Sequence, residues 1–258
     1  MFFSIITINF NNKKGLINTL HSIRNQDFTS FEHIIIDGNS NDGSLEVLRK
    51  INNENIIWIS ENDRGIYHAM NKGILMSKGD YLIFINSGDI FKNNNSLDLI
   101  NEKKQNFDIV FSNIIIQNKS SSTEVKYQDS VSAQKLLTSG IPHPGTAIKR
   151  DLFNVVGLYN EKYKIISDWI FFFTAIVKHN ASHIHINEPL VIFDARGISS
   201  NKKNVASIII EHRDFLKNNF PEFINYFNKN SVQIKRYLKT ISRWKRPFYK
   251  LFNIVKVK

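Results

Sequence analysis

Short runs of Ile, Leu, Phe and Tyr, separated by polar turns, recur through the first third of the chain. Phe3 to Ile8, His33 to Ile36, Ile56 to Ile59 and Tyr81 to Ile85 are rich in β-branched and aromatic residues and bounded by turn formers, which predicts strands. Between them, Leu16, Leu20 and Ile23 recur at helical spacing within Lys14 to Arg24. Asp42 is placed to N-cap a helix over Ser44 to Lys50, and Tyr67 to Met76 also reads as helix. This alternation argues for right-handed βαβ units and an α/β fold with a mostly parallel central sheet flanked by helices. Ligands of such sheets sit outside the carboxyl ends of the strands.

The second half is less regular. Strands are expected at Ile109 to Phe111, Val125 to Tyr127, Thr146 to Ile148 and His183 to Ile186, with Ser120 to Val125 as a hairpin turn or exposed loop. Trp169 to Val177 is an apolar helix, far short of the ~20 residues a membrane span needs. The opening MFFSIITINFNN lacks a basic segment and reads as a first strand, not a secretory signal. From Val205 onward the pattern is helical, interrupted by Pro221 and Pro247. We divide the chain into a domain over 1–220 and a basic helical tail over 221–258.

Composition sharpens that division. With 42% hydrophobic residues a chain of 258 residues fills a core unaided, and the absence of cysteine excludes disulfides, thiolate zinc sites and cysteine nucleophiles. The net charge is +11, yet no acidic residue follows Glu222, and the tail alone carries ten Lys and Arg. The body is therefore near neutral. In the tail, Val232, Tyr237, Leu238, Ile241 and Trp244 fall at approximate helical spacing among the cations, a pattern suited to an anionic membrane surface or to packing on the domain. Nucleic acid is not expected as a partner, since the body shows no basic groove.

Four aspartates mark the candidate site: Asp37 in IIIDGNSNDGS, Asp63 in ENDRGIYHAMNKG, Asp89 in GDYLIFINSGD and Asp168 in KIISDWIFFF. Asp89, on a glycine turn after a strand, suits either a divalent cation that bridges two phosphates or a plain turn cap. Asp37 is placed to accept hydrogen bonds from a base or ribose, or to close its own turn. Asp63, Arg64 and Gly65 enter a helix that carries Asn71, and Arg64 suits a phosphate or a solvated surface. Asp168 suits a helix N-cap.

In order and spacing these segments resemble the nucleotide-sugar-dependent glycosyltransferases of family 2, over about Ser4 to Ser200. ENDRGIYHAMNKGI, FINSGD and SDW are similar to the branch that builds colanic acid, O-antigen and capsule. The resemblance implies a GT-A, Rossmann-like fold and a nucleoside diphosphate sugar donor, UDP-linked. It places the donor among Thr7, Asn9, Asp37, Asp63, Arg64, Gly65, Asn71, Asn86, Ser87 and Asp89. Asp89 is implied as ligand of a divalent cation (Mn²⁺ or Mg²⁺), and Asp168 as the catalytic base. His143, in IPHPGTAIKR, is a second candidate metal ligand or an acceptor contact, or a structural histidine. Trp169 is an acceptor-stacking candidate, and Gly197 and Ser199 belong to a closing loop. The chain departs from the family at the metal motif, where Asn86 and Gly88 stand in positions often held by aspartate.

The expected activity is inverting sugar transfer to an undecaprenyl-pyrophosphate-linked acceptor in surface polysaccharide synthesis, at the cytoplasmic face of a bacterial plasma membrane. Two competing classes remain open at this stage. One is a sugar-nucleotide-binding protein without turnover, which the reduced metal motif favours and Asp168 opposes. The other is a nucleotidyltransferase, weakened by the lack of a glycine-rich loop after the first strand.

Overall fold

The computed structural model describes residues 2–117 and 121–231. The elements in chain order are β1 (Phe3–Asn9), α1 (Lys13–Arg24), β2 (Phe31–Asp37), α2 (Ser44–Arg49), β3 (Ile56–Ser60), α3 (Ile66–Met76), β4 (Tyr81–Phe84), β5 (Ile90–Phe91) and α4 (Ser96–Lys103). There follow β6 (Ile109–Gln117), β7 (Ser122–Val125), α5 (Ala133–Thr138), β8 (Ala147–Lys149), α6 (Leu152–Val156), α7 (Ser167–Phe173), β9 (His183–Asp194), α8 (Val205–Asn219) and α9 (Ile224–Asn230).

One sheet runs β3-β2-β1-β4-β8-β6-β9-β5, with β7 paired on β6. The first four strands in that order are parallel, as the βαβ alternation requires. Beyond β4 the sheet is mixed: β8 is antiparallel to both β4 and β6, β9 is parallel to β6, and β5 is antiparallel to β9. Continuous apolar runs make sense in strands covered on both faces. Ile6, Ile34, Ile36, Leu82 and Phe84 bury against one helical layer that includes α3 and α7, while Ile5, Ile83 and Ile85 face the other way. A bulge between Ser112 and Ile114 lets β6 and β9 run alongside each other for their whole length.

Several local expectations change. Ser122–Val125 is a strand paired with Ile114–Gln117, not a loop, because the alternation there is too short to read alone. Asp42 is not the N-cap of α2, which is Gly43, but its carboxylate still accepts from Ser44 N and also from Lys13 N at the start of α1. Asp168 lies in the first turn of α7 and does not cap it. The apolar helix continues past Phe173 as a π-helical turn, Thr174–Lys178. The described part of 221–258 begins with a 3-10 turn at Pro221–Phe223 and α9; residues 232–258, which carry the amphipathic pattern, lie outside the described residues.

Gly73 shows how α3 is seated. A Cβ there would lie 2.5 Å from Ile6 Cγ2, so the helix approaches β1 more closely than any side chain permits. Gly73→Ala is expected to lower the urea midpoint, because a clash of about 1–3 kcal/mol outweighs the ~1 kcal/mol gained in helix propensity. A higher midpoint would show that α3 sits less tightly.

Candidate functional site

The carboxyl ends of β1, β2 and β3 are in register, so Asn9, Asp37 and Ser60 form a row. Asp37 is fully buried and its oxygens are taken: Oδ1 accepts from Asn9 Nδ2 (2.7 Å) and Ser40 Oγ (2.6 Å), Oδ2 from Ser40 N (2.9 Å) and Ser60 Oγ (2.6 Å). Burial pushes its pKa up, but these donors outweigh it and hold it below the usual carboxylate range. A carboxylate with four donors has no lone pair left for a base. Asp37 therefore braces the turn from Gly38 to Asn41, a correction to the direct donor contact expected of it. Thr7 is corrected likewise. It is buried, donates to Ile85 O (2.7 Å) and meets His33 Nε2 at 2.9 Å. Since the hydroxyl has one proton, His33 is the donor in that second bond, and burial lowers its pKa to about 3.

Asn71 also leaves the donor set. Its Nδ2 donates to Tyr159 O and its Oδ1 accepts from Tyr159 N, at 2.9 and 3.0 Å, so the amide straps the loop after α6 to α3. His143 is buried, bonded through Nε2 to Tyr159 OH at 2.9 Å and packed on Phe84, which withdraws it from both metal and acceptor. Burial lowers its pKa, which keeps it neutral. Trp169 stacks on Phe173 and spends its indole N–H on Leu136 O (2.8 Å), so it is packing, not an acceptor platform.

Other candidates keep open chemistry. Asp63 pairs with Lys72 Nζ (2.7 Å), and its Oδ2 lies 3.0 Å from where a Cβ on Gly38 would stand. Arg64 makes an exposed ion pair with Glu161 at 2.9 Å, a weak tie from which the guanidinium is easily released. Gly65 has φ +133°, a conformation that favours glycine and turns the chain into α3. Ser87 is half-buried; its carbonyl accepts from Asn12 Nδ2. Gly197 and Ser199 are exposed on the loop that follows β9. Asp168 is half-buried at the start of α7, with Oδ1 accepting from Tyr67 OH at 2.7 Å.

Asp89 is buried, and Oδ1 accepts from Asp194 N at 2.9 Å. Burial raises its pKa to about 7, and the charge of Asp194 adds to the rise. Gly88 has φ +109°, and a Cβ there would stand 2.8 Å from Asp194 Oδ2. The space beside Gly88 is filled by a carboxylate from the end of β9. Arg196 Nε holds that carboxylate at 2.8 and 2.9 Å and keeps its pKa low.

Sequence reasoning missed Asp194, because only folding brings it to Gly88. It also missed Phe10, 68% exposed beside Gly38, although an aromatic residue in a polar turn, TINFNN, was a readable signal. Asp89 suits a cation, since its carboxylate is a hard oxygen ligand buried without a counter-charge of its own, and Asp194 stands at Gly88 with its oxygens on Arg196. Among the described residues no three His, Cys, Asp or Glu side chains gather to hold an ion, so the shell would be completed by diphosphate and water. Asn9 Oδ1, Asn86 Oδ1 and Ser167 Oγ are the buried side-chain atoms without a partner among the described residues. All three belong to the ends of β1, β4 and the start of α7, where a ligand would satisfy them.

The profile of Glycosyl transferase family 2 matches residues 4–175. A PGL/p-HBAD biosynthesis glycosyltransferase of Mycobacterium bovis is 29% identical over 177 residues, 66% of this chain and 67% of the relative. Among solved structures, S. aureus TarS 1-349 in complex with UDP-GlcNAc superposes with a TM-score of 0.68 at 20% identity, covering 90% of this chain and 74% of that one. The mannosyltransferase PcManGT of Pyrobaculum calidifontis, in complex with GDP-Man and Mn²⁺, gives 0.67 at 14% identity, covering 95% and 76%.

Proposed function

The chain belongs to Glycosyl transferase family 2 and has a GT-A-like fold, and from that premise we propose that it transfers one sugar, with inversion, from a UDP-linked donor to a lipid-pyrophosphate-linked saccharide. The observation that carries this reading is the set of buried side-chain atoms without a partner among the described residues: Asn9 Oδ1 at the end of β1, Asn86 Oδ1 just past β4 and Ser167 Oγ beside Asp168. The named ligands of the structural neighbours, UDP-GlcNAc and GDP-Man, support a nucleotide-sugar donor.

In this reading the exposed ring of Phe10 and the Gly38 turn take the base, and Asp63 and Arg64 lie alongside the ribose and phosphates. Asp89 would hold the cation, with Asp194 as a second ligand once Arg196 releases its oxygens, and the cation would stabilise charge on the departing diphosphate. Asp168 Oδ2 takes the proton of the acceptor hydroxyl as that oxygen bonds to the anomeric carbon. The carbon–oxygen bond to the diphosphate breaks on the opposite face, and the nucleoside diphosphate leaves with the electron pair. Gly197 and Ser199 close over it. The acceptor and its place, undecaprenyl pyrophosphate at the inner face of a bacterial plasma membrane, rest on the branch resemblance and on the basic tail. Among the described residues no helix is long and apolar enough to cross a membrane.

The test is nucleoside diphosphate release from a panel of sugar nucleotides with lipid-pyrophosphate saccharides, with and without Mn²⁺. Acceptor-dependent release is expected. Tight donor binding without release under any combination would instead mark a binding protein.

A further inference from the structure

Tyr67 is the second residue of α3, the helix that begins directly after Asp63, Arg64 and Gly65. Its ring is buried at 4% exposure, but its hydroxyl reaches out of that packing to Asp168 Oδ1 at 2.7 Å, across 101 residues of chain. The helix that starts from the donor turn thereby touches the base. We propose that Tyr67 is the positioning residue of Asp168: it holds Oδ1, presents Oδ2 to the acceptor hydroxyl, and links the orientation of the base to the seating of the donor turn. This rests on Asp168 being the base.

The chemistry follows from one hydrogen bond. A carboxylate rotates freely about its Cα–Cβ and Cβ–Cγ bonds unless one oxygen is fixed, and a neutral hydroxyl fixes it without neutralising it. The other titratable groups that sense Asp168 are Tyr159, from the loop after α6, His143, from the loop before β8, and His212 on α8. The two histidines are buried and held neutral, and the tyrosine is protonated, so none supplies a competing charge near neutral pH. Tyr159 spends its hydroxyl on His143, leaving Tyr67 as the tyrosine bonded to the carboxylate. Burial and the adjoining carboxylate raise the Tyr67 pKa well above its ordinary value, which fits a proton donor that never ionises.

The experiment is Tyr67→Phe, which keeps the ring and removes only the donor, measured as kcat and donor KM. Expected are a fall in kcat of about tenfold with a donor KM within about twofold. Tyr159→Phe, which removes a hydroxyl bonded to His143 and not to Asp168, should leave kcat within about twofold. An unchanged kcat in Tyr67→Phe, or an equal fall in Tyr159→Phe, overturns the proposal. If Asp168→Asn itself transfers sugar normally, the base assignment falls and this inference with it. If Asp168→Asn is inactive and Tyr67→Phe keeps the parent kcat, only the positioning role is refuted.

Discussion

Asp168→Asn is expected to lower sugar transfer by about 10³-fold while leaving nucleotide affinity, measured by titration calorimetry, within about twofold. The substitution is nearly isosteric, and the amide oxygen can still accept from Tyr67 OH in place of Oδ1. What disappears is the lone pair able to take a proton. The expected size sits within the 10²–10⁴-fold range of a positioned general base, since the cleft and donor contacts remain intact. Asp168 is half-buried, not sealed into the core, so it is open to an acceptor. Near-normal transfer by this variant, with donor still bound, would place the proton acceptor elsewhere.

Asp89→Asn is expected to separate function from stability. Transfer should drop by roughly 10²-fold or more, and the rise in melting temperature on adding Mn²⁺ with nucleoside diphosphate should vanish, because the carboxylate proposed to meet the cation is gone. The metal-free protein should become more stable at alkaline pH. The sign follows from the folded pKa, raised from 3.8 to about 7 by burial and by Asp194. Between those values the native state binds more protons than the unfolded chain, so wild-type stability falls as pH rises and the full penalty is present above the folded pKa. That penalty is at most about 4 kcal/mol. Asp89→Asn removes it, so the variant's advantage in urea midpoint should be large at pH 8 and small at pH 4. Equal midpoints at both pH values would mean that the Asp89 charge is already compensated in the free protein.

In the proposed reading, stability and use conflict at the diphosphate site. A buried carboxylate beside a second one is costly without a cation, and the ion pair of Arg196 with Asp194 relieves only the less buried member. The same logic reads the metal motif. A lone Asp89 in the sequence suggests a weakened site, yet the strand partner β9 returns a carboxylate to the space that Gly88 leaves empty.

Much of the architecture was legible. Ile34, Ile35 and Ile36 announce a strand covered on both faces, and the spacing of Leu16, Leu20 and Ile23 announces a helix lying on it. The four aspartates were legible as candidates because carboxylates at strand ends face the ligand edge of an α/β sheet. Their separate duties were not. Asp37, Asn71 and Thr7 have the same residue types as ligand contacts, but a side chain acts on a ligand only if its own protein leaves it unbonded. Each of the three has its hydrogen-bonding capacity taken by neighbours, most of them far along the chain.

The amino-acid order by itself determined the alternating strands and helices, the identity of the residues at the strand ends, and the charge division between body and tail. These depend on local periodicity and composition. Only the tertiary structure decided that His143 and Trp169 are packing, that Asp194 stands beside Asp89, and that Tyr67 reaches Asp168. Those facts depend on burial and on pairings between segments separated by up to 105 residues, distances over which no local pattern records which hydrogen bonds are already made.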